Sequence, residues 1–192
     1  MSDSLEPDAV RPLLRGRFGR DYRYVERTPS TQRLLDDARE GAVAVTEEQT
    51  QGRGRLGRSW HARSGTSVLV SLLLEPRVAS ARLPELTPLA GEACADAIAA
   101  VTGLAATIKP PNDVLVGGRK VAGILAEARD GRVVLGVGIN VNVAADELPL
   151  ETETPAGSLS LAAGREVSRA ELLAELLLRL EERYDHWASS GG

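Results

Sequence analysis

The chain has 192 residues, 43% of them hydrophobic and 26% charged, with a formal net charge of −4. That is the length of one domain with a real core and the composition of a globular chain, not a disordered one. The acidic balance argues against a general nucleic-acid binder. The single Cys94 excludes a disulfide framework and suits a reducing compartment. The start, MSDSLEPDAV, lacks the apolar core of a signal peptide. The apolar runs are too short to span a bilayer, so the expectation is a cytoplasmic protein with no membrane partner.

In chain order, residues 1–20 read as a short lead-in with helical character, and DYRYVER (21–27) as a weakly alternating first strand. In TPSTQRLLDDAREG, Ser30 is the N-cap candidate of a helix that Gly41 ends. AVAVTEEQ (42–49) reads as a short buried strand. A glycine- and arginine-rich loop follows, then TSVLVSLLLEP (66–76), an apolar strand closed by Pro76. Residues 83–103 form an alanine-rich helix ending at Gly103, and LAATIK (104–109) a strand running into PPND. Gly117-Gly118 and Asp130-Gly131 are two-residue hairpin signals that predict a three-stranded antiparallel meander. Residues 145–165 read as a loop and 168–187 as an amphipathic helix, with Ser168 and Glu171 as its capping box. The sum is an α+β domain built on a mixed, largely antiparallel sheet with helices packed on it.

The hairpin turns set a register. Without bulges, Leu115 faces Lys120, Asn112 faces Gly123, Gly123 faces Gly138 and Leu125 faces Gly136. Glycines facing one another across neighbouring strands can floor a site for something flat, because backbone is all that stands there; they can also relieve crowding within the sheet. Strict alternation puts Lys120 and Gly123 on opposite faces, so either a bulge intervenes or Lys120 serves the site from an edge.

Two sequence features carry charge chemistry. In QGRGRLGRSW (51–60), Gly52, Gly54 and Gly57 fit a dinucleotide fingerprint, but a strand pattern follows where that motif needs a helix. What is left is a loop with exposed backbone amides and three guanidinium forks, Arg53, Arg55 and Arg58. It suits a small phosphorylated anion. Trp60 either stacks on that ligand or anchors the loop to the core. The second feature is lysine usage: only two of the 23 basic residues are lysines, Lys109 and Lys120, both near PPND. A compact ammonium and a planar guanidinium are not interchangeable at a tight site. Asn112 and Asp113, held behind two prolines, suit a partner for Mg²⁺-nucleotide or a turn at a strand entry.

Five segments in one order, PSTQ (29–32), EEQTQGRGRLGRSW (47–60), KPPND (109–113), RKVAGILAE (119–127) and GVGINVN (136–142), resemble the catalytic domain of the biotin protein ligases. The resemblance implies the biotin/lipoate ligase fold, similar to class II synthetases. It implies an enzyme that makes biotinyl-5′-AMP from biotin and ATP with Mg²⁺ and passes biotin to a lysine of a biotin carboxyl carrier protein. By position, Ser30, Thr31 and Gln49 would meet the biotin head group, and Gly52 and Arg53 its tail. Arg55 and Arg58 would belong to a loop ordering over biotin and the phosphates of the intermediate, Trp60 would stand with them on the nucleotide, and Lys120 would meet the biotin carboxylate and the α-phosphate. Gly123, Gly136 and Gly138 would line the pocket, Asn140 would face adenine, and Asn112 and Asp113 would place ATP, with Asp113 a ligand of its Mg²⁺. Lys120, Arg53 and Arg55 would carry the catalysis.

The resemblance has three departures. Pro110 stands where the family has tryptophan, and Gln32 where it has asparagine. The family's SH3-like C-terminal domain and the N-terminal DNA-binding domain of its repressor members have no counterpart in 1–192. The expectation is therefore one catalytic domain with no operator binding, with a homodimer as one possibility for its meander edge. A lipoate or octanoate ligase or acyltransferase on the same fold, and a non-catalytic biotin binder, are the alternatives.

Overall fold

The computed structural model describes residues 3–150 and 152–190. A lead-in helix, α1 (Pro7–Val10), precedes strands β1 (Tyr22–Thr28), β2 (Val43–Gln49) and β3 (Ser67–Leu74). Helix α2 (Leu86–Thr102) follows, then β4 (Ala106–Lys109), β5 (Asp113–Val116), β6 (Arg119–Arg129) and β7 (Arg132–Asn140). Helices α3 (Leu159–Ala163) and α4 (Arg169–Ser189) complete the chain's order. The seven strands form one sheet, β1-β2-β3-β7-β6-β5-β4. Only β1 and β2 run parallel; every other neighbouring pair is antiparallel. The mixed, largely antiparallel α+β reading holds.

The faces of this sheet are used differently. Along β7, Val133, Leu135, Val137 and Ile139 are buried in the main core, which period-two alternation places on one face. Helices α2 and α4 pack against each other over that face. In α4, Leu172, Leu173, Leu176, Leu177, Leu180, Tyr184 and Trp187 recur at helical spacing and are all buried. The Ser168 hydroxyl accepts from the Glu171 amide at its start. Gly103 ends α2 in the left-handed conformation, φ 76°. The opposite face of β7 carries Val134, Gly136, Gly138 and Asn140. One end of that face is covered by a second small core of Leu35, Ala38, Ala42, Ala44 and Leu73, and the rest is left for the site.

Three local readings change. Residues after Ser30 form a single tight 3-10 segment, Thr31–Leu35, without a side-chain cap on Ser30, because Leu34 and Leu35 alone give too short an apolar stripe to carry an α-helix. The alanine-rich helix begins later than expected: Ser80–Glu85, which contains Pro84, is 3-10 and α2 proper starts at Leu86. The stretch 145–165 is not all loop, since α3 occupies Leu159–Ala163; β4 joins the meander as its outer neighbour, pairing antiparallel with β5.

Candidate active site

The register was right for both turns and for the β6–β7 hairpin. Leu115 faces Lys120, and Gly123 faces Gly138 and Leu125 faces Gly136. It fails at Asn112. Between the Val114–Ala122 and Leu115–Lys120 pairs the register shifts, so Asp113, not Asn112, lies opposite Gly123. The extra residue is Val121, and a bulge of one residue returns Lys120 to the same face as Gly123 and Asp113. The Lys120 ammonium then pairs with the Asp113 carboxylate at 2.7 Å. A Cβ built on Gly123 would sit 3.6 Å from Lys120 Nζ. Asn112 serves the backbone instead: its Nδ2 donates to the Ile124 carbonyl at 3.0 Å.

The glycines do floor something flat, and it is the Trp60 indole. A Cβ on Gly138 would come within 2.6 Å of Trp60 Cε2, and one on Gly123 within 2.9 Å of Cζ3. Trp60 therefore anchors its loop to the sheet and walls the cavity at once. Its buried Nε1 has no hydrogen-bond partner among the described residues. The loop is closed at its base by the Trp60 amide on the Gly52 carbonyl, 2.9 Å. Gly52 belongs to that closure: a Cβ there would meet the Trp60 carbonyl oxygen at 2.3 Å.

Above this floor lies a cavity of about 450 Å³. Its walls include Ser30, Thr31, Gln49, Arg53, Arg55, Arg58, Trp60, Asn112, Asp113, Lys120, Gly123, Gly136, Gly138 and Asn140. Of the site residues that the resemblance implies, Gly52 is the one not on the wall. One end is uncharged and hydrogen-bonded: the Thr31 amide and hydroxyl both donate to Gln49 Oε1 at 3.0 and 3.2 Å. The middle carries Lys120. Asn140 Nδ2 is spent on the Gly157 carbonyl, 3.1 Å.

The charged rim was only half visible in the sequence. Arg53 donates to Gln32 Oε1 at 3.0 Å and to Glu127 at 2.9 Å. Arg58 lies 3.4 Å from Glu153, Arg63 2.6 Å from Glu147, and Lys109 donates to Thr154 Oγ1 at 2.7 Å. The charge of Lys109, then the Arg58 hydrogen bond, holds the Glu153 carboxyl below the usual carboxylate range. Residues 144–150 and 152–157 thus carry acidic groups across the cavity mouth as a strap, and the backbone of Lys120 is clipped to it through Pro155 and Gly157. Glu127, Gln32, Glu147 and Glu153 were not read as site residues. Their partners are at least 21 positions away in sequence, and nothing local marks such pairs. Ser71, a hydroxyl in the apolar run SVLVSLLL, did carry a signal.

A model of the biotin/lipoate A/B protein ligase family matches residues 24–144, more than half of the chain. The chain belongs to that family. Its relatives include the bifunctional ligase/repressor BirA of Bacillus subtilis, 38% identical over 184 residues, which cover 91% of this chain and 57% of the relative. The biotin–[acetyl-CoA-carboxylase] ligase of Mycobacterium tuberculosis is 38% identical over 157 residues, 79% of this chain and 57% of the relative. Among solved structures, the biotin protein ligase of Aquifex aeolicus in complex with biotin and ATP superposes with a TM-score of 0.79 at 31% identity, covering 88% of this chain and 72% of that one. The chain spans just over half the length of the two relatives named first. As a ligase-family domain it holds no helix long and apolar enough to cross a membrane among the described residues.

Proposed function

We propose that residues 1–192 are the catalytic domain of a biotin protein ligase, which activates biotin with ATP to biotinyl-5′-AMP and transfers biotin to a lysine of a biotin carboxyl carrier protein. The observation that carries this reading is the order of chemistry along one cavity. A neutral hydrogen-bonding cluster at Thr31 and Gln49, with Arg53 beside it on Gln32, leads along the glycine row to Lys120, with Arg58 and Lys109 at the strap. That order matches a ligand with a polar uncharged head, a central carboxylate and a phosphorylated far end. A plain acyl chain has no use for the polar end.

In the first step a biotin carboxylate oxygen attacks the α-phosphorus of ATP in line, and the bond to the β-phosphate oxygen breaks as pyrophosphate leaves. Two anions must be held together, so positioning and positive charge are the main catalytic contributions. Lys120 supplies charge between carboxylate and phosphate, and Asp113 holds its ammonium in place. Arg53, Arg55 and Arg58 supply charge and cover from the loop. Asn140 lies at the adenine end, and Asn112 shapes the strand entry beside the nucleotide. Mg²⁺ enters with ATP as part of the substrate. Asp113, whose carboxylate already pairs with Lys120, would be the side chain to hold the ion together with the phosphates. In the second step the carrier amine attacks the acyl carbon and loses a proton, and AMP leaves with the anhydride oxygen. The mixed anhydride must be kept from water, a task for the arginine loop and the acidic strap. The buried, free Cys94 suits a reducing compartment such as the cytoplasm.

Incubation with biotin, Mg²⁺–ATP and a biotin carrier domain tests the reading. The expected outcome is one biotinyl group on one carrier lysine by mass spectrometry. An unmodified carrier would contradict it.

A further inference from the structure

Ser71 stands on β3 in a strand whose other residues are apolar from Val68 to Leu74. It is fully buried, it faces Gly136 across the β3–β7 ladder, and its hydroxyl lies 2.7 Å from the hydroxyl of Thr31. The direction of the hydrogen bonds around it follows from elementary donor chemistry. The Thr31 amide can only donate, so the Gln49 atom it meets at 3.0 Å is the carbonyl oxygen Oε1. That oxygen can only accept, so the Thr31 hydroxyl, 3.2 Å away, also donates to it. A hydroxyl has one proton to give. Thr31 has given its own to Gln49, and the bond to Ser71 is therefore donated by Ser71.

We infer that Ser71 is a positioning residue that sets this one-way chain, Ser71 to Thr31 to Gln49, and through it makes the inner end of the cavity selective for a urea-type head group. With Oε1 occupied by two donors, what Gln49 has left for a ligand is its Nε2 donor. What Thr31 and Ser71 have left is acceptor lone pairs. A head group that presents a carbonyl acceptor beside N–H donors satisfies both; a dithiolane or an alkyl end satisfies neither and leaves buried polar groups unpaired. The inference rests on the biotin reading above and deepens it, since it adds to the head-group end a positioning residue that lies outside the five segments carrying the resemblance.

The test is calorimetric binding of biotin, desthiobiotin (which keeps the urea and lacks the sulfur) and ATP to the wild type and to Ser71→Ala. The chain predicts that Ser71→Ala weakens biotin and desthiobiotin alike by roughly 5- to 10-fold, the effect of losing one ordering hydrogen bond, and leaves ATP binding unchanged. Unchanged biotin binding, or an equal loss for biotin and ATP, would overturn the inference, because a merely structural serine would act on both ligands or neither. A loss for biotin without one for desthiobiotin would assign the relay to the sulfur and overturn it too. Should Ser71→Ala fail to fold, Thr31→Val cuts the same chain one link on and must show the same selectivity. Failure of the biotin reading itself shows elsewhere, as a wild type that binds neither urea compound.

Discussion

A methyl group on Gly138 would stand 2.6 Å from Trp60 Cε2, closer than real Cβ contacts come. Gly123 and Gly138 are not among the glycines with positive φ, so space, not backbone conformation, is what excludes a side chain at these positions. Gly138→Ala is expected to lift the indole off the sheet, lower biotin affinity at least about tenfold, and leave the secondary structure seen by circular dichroism intact. The substitution costs little as a strand change and much as an obstruction of the floor. This glycine row was legible in the sequence from two hairpin turns and strand alternation. The β5 partner of Gly123 was not, because a bulge at Val121 has no sequence signature: Val121 is an ordinary β-branched strand residue, and only pairing in three dimensions shows that it is the extra one. That same bulge brings Lys120 to Asp113 and so makes the site.

At the scale of elements, the site is two loops facing each other over a rigid sheet. The arginine loop offers Arg58 and Arg63, and the strap offers Glu153 and Glu147. The loop was legible from its composition. The strap was not, since its acidic residues read alone as a solvated linker and acquire meaning only from cations far away in the chain. Exposed pairs of this kind contribute little to global stability and are screened by salt, so their effect is on local opening. The folded carboxyl of Glu153 titrates below its unfolded range, with the charge of Lys109 the largest cause and Arg58 next. Its hold on the loop is complete above the ordinary glutamate range and is lost as the pH falls through the lowered folded value. Amide exchange across 144–150 and 152–157, corrected for intrinsic rates, should accordingly be slower at neutral pH in the wild type than in Glu153→Gln. The two should converge in acid. Identical protection at neutral pH would remove the strap's electrostatic role.

For the whole molecule, one buried charge ties distant pieces together. Arg169 at the start of α4 is 2% exposed. It bonds Glu47 at the end of β2 at 2.5 Å, the Ser67 carbonyl at the start of β3 at 3.2 Å, and the Asp3 carboxylate at 2.8 Å. Glu47 in turn accepts from the Gly65 amide at 3.0 Å, where the arginine loop rejoins the sheet. Removing one member of such a set leaves a buried charge without its counterpart. Arg169→Met is expected to lower stability by about 3–5 kcal/mol in denaturant titration, with part recovered in the double variant that adds Glu47→Gln. A loss below about 1 kcal/mol would mean that solvent reaches Glu47. Sequence reading had Arg169 on an amphipathic helix face and Glu47 inside a motif, with no way to join residues 122 positions apart.

The proposed chemistry requires the cavity to join a carboxylate to an adenylyl group with Lys120 between them. The direct measurement is to mix the protein with biotin and Mg²⁺–ATP, without any carrier, and identify the bound product by mass spectrometry. The account predicts biotinyl-5′-AMP with release of pyrophosphate, and a fall of at least about a hundredfold in its rate of formation for a folded Lys120→Arg, since a bulky fork cannot replace a point charge held at 2.7 Å by Asp113. Recovery of unreacted biotin and ATP from the wild type, or near-normal adenylate formation by Lys120→Arg, would contradict it.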